Sequence, residues 1–77
     1  MYIVIEMQYS SDGTVSTLVN SYDDIYNAEW KYHQVLSAAA ISQVDVHSAI
    51  LLNHLGHLIK SQYYDHREQE PIVMPEP

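Results

Sequence analysis

Five histidines, seven tyrosines and a single tryptophan are the residues of this chain with chemistry to offer, and their spacing decides what kind. A zinc site needs three or four converging ligands backed by outer hydrogen bonds. His54 and His57 flank a tight turn, and His47 and His66 fall near the ends of neighbouring extended segments, with no recognised ligand spacing among them. The chain has no cysteine, which removes thiolate sites and disulfides together. No metal or other cofactor is therefore expected, and His47, two residues after Asp45, reads as a structural histidine satisfied by hydrogen bonding. Serine, histidine and aspartate are all present, but without a nucleophile elbow. The two glycines are spent on turns and leave no phosphate-cradling loop. The adjacent carboxylates Asp23 and Asp24 are accounted for by helix capping. The pattern predicts no catalytic residue, and a binding protein rather than an enzyme.

The aromatic residues carry a stronger signal. Tyrosine offers a flat stacking surface with a polar tip and is favoured at interfaces and in ligand pockets. The competing explanation is that these rings stand in for phenylalanine, which is absent, in a small core. Tyr63-Tyr64-Asp65-His66 puts rings on both faces of one extended segment, so at least one ring lies outside the core.

These side chains are positioned by five elements. Tyr2 to Tyr9 alternates, with Ile3, Ile5, Met7 and Tyr9 on one face and Tyr2, Val4, Glu6 and Gln8 on the other, which predicts a strand with one face buried. Ser10-Ser11-Asp12-Gly13 predicts a hairpin turn, and Thr14 to Asn20 the returning strand. A helix is predicted over Tyr22 to Ser42. Ser21 with Asp24 has the capping-box spacing, Asp23 is an alternative cap, and acidic residues are expected in the first turn. Val44 to His54 predicts a third strand, apolar on both faces over Ala49-Ile50-Leu51-Leu52 as a central strand should be. A buried helical turn has the same apolar run, and Gly56 decides for a hairpin leading into a fourth strand from Leu58 to Asp65. There, Leu58, Lys60, Gln62 and Tyr64 alternate with Ile59, Ser61 and Tyr63. The fold class is α+β: an antiparallel four-stranded sheet in ββαββ order with one helix packed on one face. Residues 1–66 form a single domain. Residues 67–77 hold all three prolines and read as a flexible tail or an extended arm whose Ile72-Val73-Met74 docks on a neighbouring subunit.

The net charge of −7, ten acidic residues against Lys31, Lys60 and Arg67, argues against duplex nucleic acid and anionic membranes as partners. A small anionic ligand stays open, because one or two local cations can outweigh a distant, salt-screened surface. Neither a signal peptide nor a membrane-spanning run is visible, so a cytoplasmic location is expected. A chain of 77 residues without cysteine is marginal unless it gains buried surface from partners, and a homodimer or larger symmetric oligomer is predicted. The helix carries the sharpest form of that expectation. Its Ile25, Ala28, Tyr32, Val35, Leu36 and Ala39 face the sheet, while Tyr26, Trp30, His33 and Ser37 form a second stripe with no partner inside a single subunit. Another subunit or a ligand should cover that stripe, and Trp30→Ala should harm assembly or binding more than folding.

Over Tyr2 to His66 the chain resembles a group of short proteins encoded in phages and prophages of Firmicutes and related gut bacteria. The residues that carry the resemblance are Ala28-Glu29-x-Lys31-Tyr32-His33-x-Val35-Leu36-x-x-Ala39-Ala40-x-Ser42-x-Val44-x-x-His47, then Leu52-Asn53-x-x-Gly56, then Tyr63-Tyr64-Asp65-His66. It implies a mobile-element protein in a bacterial host, not a catalytic mechanism. Small acidic phage proteins of this kind often block host defence. The leading expectation is an oligomeric protein that sequesters a nucleotide-derived immune signal, a cyclic dinucleotide or an ADP-ribose derivative, at subunit interfaces. Tyr26, Trp30 and Tyr63 would stack on it, and His33, Lys60 and Arg67 would meet phosphate or ribose. The alternatives are an inhibitor that binds a host defence protein, and a structural or regulatory phage protein with no small ligand.

Overall fold

Period-two alternation and β-branched side chains make four strands of this chain, and one amphipathic run makes its helix. A computed structural model describes residues 1–67. The elements are β1 (Tyr2–Tyr9), β2 (Val15–Tyr22), α1 (Ile25–Ala40), β3 (Val46–Asn53) and β4 (Leu58–Asp65). They form an α+β fold with a four-stranded antiparallel sheet in the order β2-β1-β3-β4. The expected proline-rich tail falls at 68–77, outside the described residues, apart from Arg67.

Both hairpins turn on a glycine with positive φ, Gly13 at 95° and Gly56 at 84°. A side chain closes each turn. Asp12 Oδ1 accepts from the Thr14 amide at 2.9 Å, and Asn53 Oδ1 accepts from the Leu55 and His57 amides at 2.8 and 3.0 Å. Hydrogen bonding from the Thr14 side chain, then from its amide, lowers the Asp12 carboxyl pKa below its ordinary value.

The start of the helix departs from the sequence reading. β2 runs on through Ser21 and Tyr22, paired with Ile3 and Tyr2, so Ser21 is a strand residue and caps nothing. Asp24 is the N-cap, accepting from the Asn27 amide at 2.8 Å, and no acidic residue lies in the first turn. The helix is thus three residues shorter at its start than the predicted Tyr22 boundary, because sheet pairing with β1 outcompetes an earlier cap. At the other end His66 Nε2 donates to the Ala39 carbonyl at 2.9 Å, tying the end of β4 to the last turn of α1.

The helix lies across β3 and β1. Its Ala28, Tyr32, Val35 and Ala39 are buried, with Ile25 and Leu36 packed at the margin. Ala28, Tyr32 and Val35 meet Val4, Ala49 and Leu51 on the sheet. Alanine at 28, 39 and 49 lets helix and sheet approach closely, and Leu51 and Val4 are the largest fully buried side chains.

The other sheet face is bare among the described residues. Ile3, Ile5 and Met7 of β1 and Ile50 and Leu52 of β3 run down its middle. Val15 and Val19 of β2 flank them on one side, and Tyr63 and Leu58 of β4 on the other. Leu58 reaches this face because the register slips between Leu51 and Leu52, leaving Ile59 as an extra residue. The sequence alternation instead placed Leu58 on one face with Lys60, Gln62 and Tyr64.

Candidate functional site

Because α1 sits over the two central strands, it leaves the inner face of the edge strand β4 half uncovered. The result is a groove of about 630 Å³ between them. Its walls follow from the two periodicities. His33, Leu36, Ser37 and Ala40 come from one side of the helix, and Lys60, Gln62 and Tyr64 from alternate positions of β4. The Tyr32 ring forms part of the lining from the core side.

Charge in the groove centres on Glu29. Its Oε1 lies 3.0 Å from Lys60 Nζ and 3.3 Å from His33 Nε2. The Lys60 ammonium also sits 5.6 Å from the centre of the Tyr32 ring. Glu29 takes one of the three donors of that ammonium, so Lys60 can still reach a ligand oxygen. Burial pushes the Tyr32 phenol pKa up, which keeps it neutral. Farther along, Tyr64 stacks on His66 with ring centres 6.2 Å apart and planes 6° from parallel. Flat rings, a lysine and an imidazole thus line one open groove, which suits a ligand with a planar ring and an anionic group.

The six residues predicted to share one site are divided by the sheet. His33 and Lys60 line the groove. Trp30 lies on the far side of His33, where the two residues with Gln34 and Ser37 border a shallow depression of about 410 Å³. Tyr26 is one turn earlier, 81% exposed, and Trp30 is 59% exposed. The second helix stripe is therefore uncovered within the subunit. Tyr63 is on the opposite face of the sheet, opposite Ser48, and Arg67 lies beyond the end of β4. The reason is the pleat: Lys60 and Tyr63 are three residues apart on a strand and must point to opposite sides. The same alternation marks Gln62 and Tyr64 as the groove partners of Lys60, a signal present in the sequence that the predicted site left out.

Arg67 is engaged with Asp65, donating Nη2 to Oδ2 at 2.7 Å and Nε to Oδ1 at 2.9 Å, and its guanidinium is 5.9 Å from the centre of the Tyr9 ring. Hydrogen bonds from the Arg67 side chain, then from its amide, hold the Asp65 carboxyl down at about 2 from an ordinary 3.8. A depressed folded value means that this pair stabilises the fold above about pH 4 and stops doing so as the pH falls through about 2. In a carboxyl-detected NMR titration the Asp65 midpoint is expected near 2 and should climb towards 3.8 in Arg67→Ala. An unchanged midpoint in the variant would remove the guanidinium as the cause.

One pair with the elements of acid–base chemistry lies elsewhere and is enclosed. His47 Nε2 is 2.7 Å from Glu6 Oε2 beneath the helix, with only 4% of His47 exposed. The partner is Glu6 on the neighbouring strand β1. Among the described residues His47 Nδ1 has no hydrogen-bond partner, so there the histidine is satisfied on one side only. Among the described residues no three His, Cys, Asp or Glu side chains converge as a metal site would require, and no helix is long and apolar enough to cross a membrane.

The described residues form an α+β domain with a polar groove between α1 and β4 and a sheet face on which none of them packs. No protein-family model, curated protein or solved structure matches the chain.

Proposed function

We propose that the protein is a non-enzymatic binding protein that sequesters a nucleotide-derived signal, a cyclic dinucleotide or an ADP-ribose derivative, in the groove between α1 and β4. One observation carries this reading: Lys60 and His33 share a groove of about 630 Å³ with the Tyr32 and Tyr64 rings. Its size is that of small-molecule sites. Phosphate would meet Lys60 and His33, and a base would lie against the tyrosines, with Trp30 and Tyr26 extending the platform along the helix. Tyr63 and Arg67 leave the proposed contact set, since Tyr63 lies across the sheet and Arg67 beyond the end of β4, engaged with Asp65. Glu29 opposes an anion and so favours ligands that bring few phosphates and several hydroxyls. The resemblance to phage-encoded proteins supplies the setting, the cytoplasm of a bacterial host whose immune signal is trapped.

A second reading, an inhibitor that binds a host defence protein, is favoured by the exposure of Tyr26 and Trp30 on adjacent turns, since paired aromatic anchors are typical of protein interfaces.

A melting series separates the two. A ligand at about 100 times its Kd adds about 2.7 kcal/mol, which for a domain of this size raises Tm by about 10–20 °C. Lys60→Ala should abolish the shift while changing the unliganded Tm little, because exposed ion pairs contribute at most about 1 kcal/mol. Heating should return the nucleotide chemically intact. If a panel of cyclic dinucleotides and ADP-ribose isomers leaves melting unmoved, the nucleotide reading is wrong.

A further inference from the structure

We propose that the bare face of the sheet is an interface with a second copy of this chain. The two sheets pack face to face about a twofold axis, and the dimer is a slab of four layers: helix, sheet, sheet, helix. Three observations carry this.

The first is charge. A chain of net charge −7 associates with itself most readily through a surface with few unpaired acidic groups, because like charges brought together oppose pairing. Glu6 lies under the helix and Glu29 beside it. Asp12 is in a turn, Asp23 and Asp24 precede α1, and Asp45 precedes β3. Among the described residues Asp65 alone borders the bare face, at its corner, and Arg67 neutralises it there. Two copies can therefore meet without opposing like charges.

The second is area. Four strands of eight residues, at about 3.3 Å per residue and about 4.8 Å between strands, cover about 500 Å² in projection. Two copies bury about 1,000 Å² before side-chain relief is added, which reaches the threshold for a specific interface.

The third is the row Val19–Ile5–Ile50, three β-branched side chains in register across β2, β1 and β3. It has the inward-facing composition of a β-sandwich layer, with nothing packed on it among the described residues. The Tyr26–Trp30 stripe is a poorer site for self-association, because Asp23, Asp24 and Glu29 lie around it.

In this dimer both helices face outward. The grooves and the Trp30 stripes stay open on opposite sides, so ligand binding and pairing are separable. Light scattering on the full chain across micromolar concentrations should give twice the 8.9 kDa chain mass. Val19→Lys and Tyr63→Lys lie on opposite edges of the face, and each is expected to raise the dimer dissociation constant about 100-fold or more by placing like charges together. Both side chains are 63% exposed in a single copy, so the substituted chains should keep their circular dichroism. Trp30→Ala should leave the mass doubled. A single-chain mass for the unsubstituted protein overturns the proposal. So does a dimer that survives both lysines, one that only Val19→Lys breaks, as pairing along the β2 edge would give, or one lost in Trp30→Ala.

Discussion

Leu51→Ala is expected to lower the melting temperature by at least about 10 °C and to leave much of the chain unfolded at 37 °C. Leu51 has no exposed surface, and with Val4 it is one of the two largest fully buried side chains. It sits on the central strand β3 opposite Val4 and beneath the helix. Truncating a buried leucine costs about 2–5 kcal/mol, more where the surroundings cannot collapse into the space. Here they cannot, because Ala28 and Ala49 already let helix and sheet approach closely and have no side chain to extend. A domain of this length holds about 4–12 kcal/mol in total, so one substitution removes a large fraction. Leu55 is the control. It lies in the β3–β4 turn and is 67% exposed, and Leu55→Ala should shift stability by less than about 0.5 kcal/mol. Urea unfolding followed by circular dichroism reads both. Comparable losses in the two variants would mean that the core is not where the helix meets β3.

That core was legible in the sequence because both of its periodicities are clean. Alternation delimits β1 at Tyr2 and Tyr9 and β4 at Leu58 and Asp65, and helical spacing picks out Ala28, Tyr32, Val35 and Ala39. Where two local signals competed, the reading slipped. Ser21-Tyr22-Asp23-Asp24 holds several capping residues, and only the pairing of Ser21 and Tyr22 with β1 shows that the strand continues. The bulge at Ile59 was invisible for the same reason, since it is a property of the β3–β4 register and not of Leu58 to Asp65 alone.

The candidate site was legible in part. Of the predicted residues Lys60 and His33 line the groove, and the pleat that separates Lys60 from Tyr63 was already in the sequence. What no local pattern contains is strand order. Ile3, Ile5 and Met7 look like one half of an ordinary alternation, and so do Ile50 and Leu52. Only when β1 and β3 become neighbours do these half-faces merge into one uncharged surface. The helix then covers one side of the sheet, and none of the described residues packs on the other. A molecule only 20 Å across its thinnest direction gains most from a second copy placed there.

Polar chemistry inside such a thin core is costly, and the pair Glu6–His47 should show it. Glu6→Leu is expected to cost about 2–4 kcal/mol. It leaves His47, 4% exposed and already without a partner at Nδ1, with neither ring nitrogen bonded. A buried polar group stripped of its partner loses about 1–3 kcal/mol, and more where a charged group is involved. His47→Leu should cost less. Glu6 keeps the hydrogen bond from Gln8 Nε2 at 3.2 Å, and its side chain is 16% exposed and can be solvated. The double variant Glu6→Leu/His47→Leu replaces both groups by apolar side chains of similar volume, and such replacements are often neutral or stabilising. It should therefore be more stable than Glu6→Leu alone, although it carries one more substitution. A double-mutant cycle in urea measures the coupling directly. If the two single losses simply add, the 2.7 Å contact contributes nothing to the fold. If the double recovers stability, His47 depends on Glu6 for its place in the core.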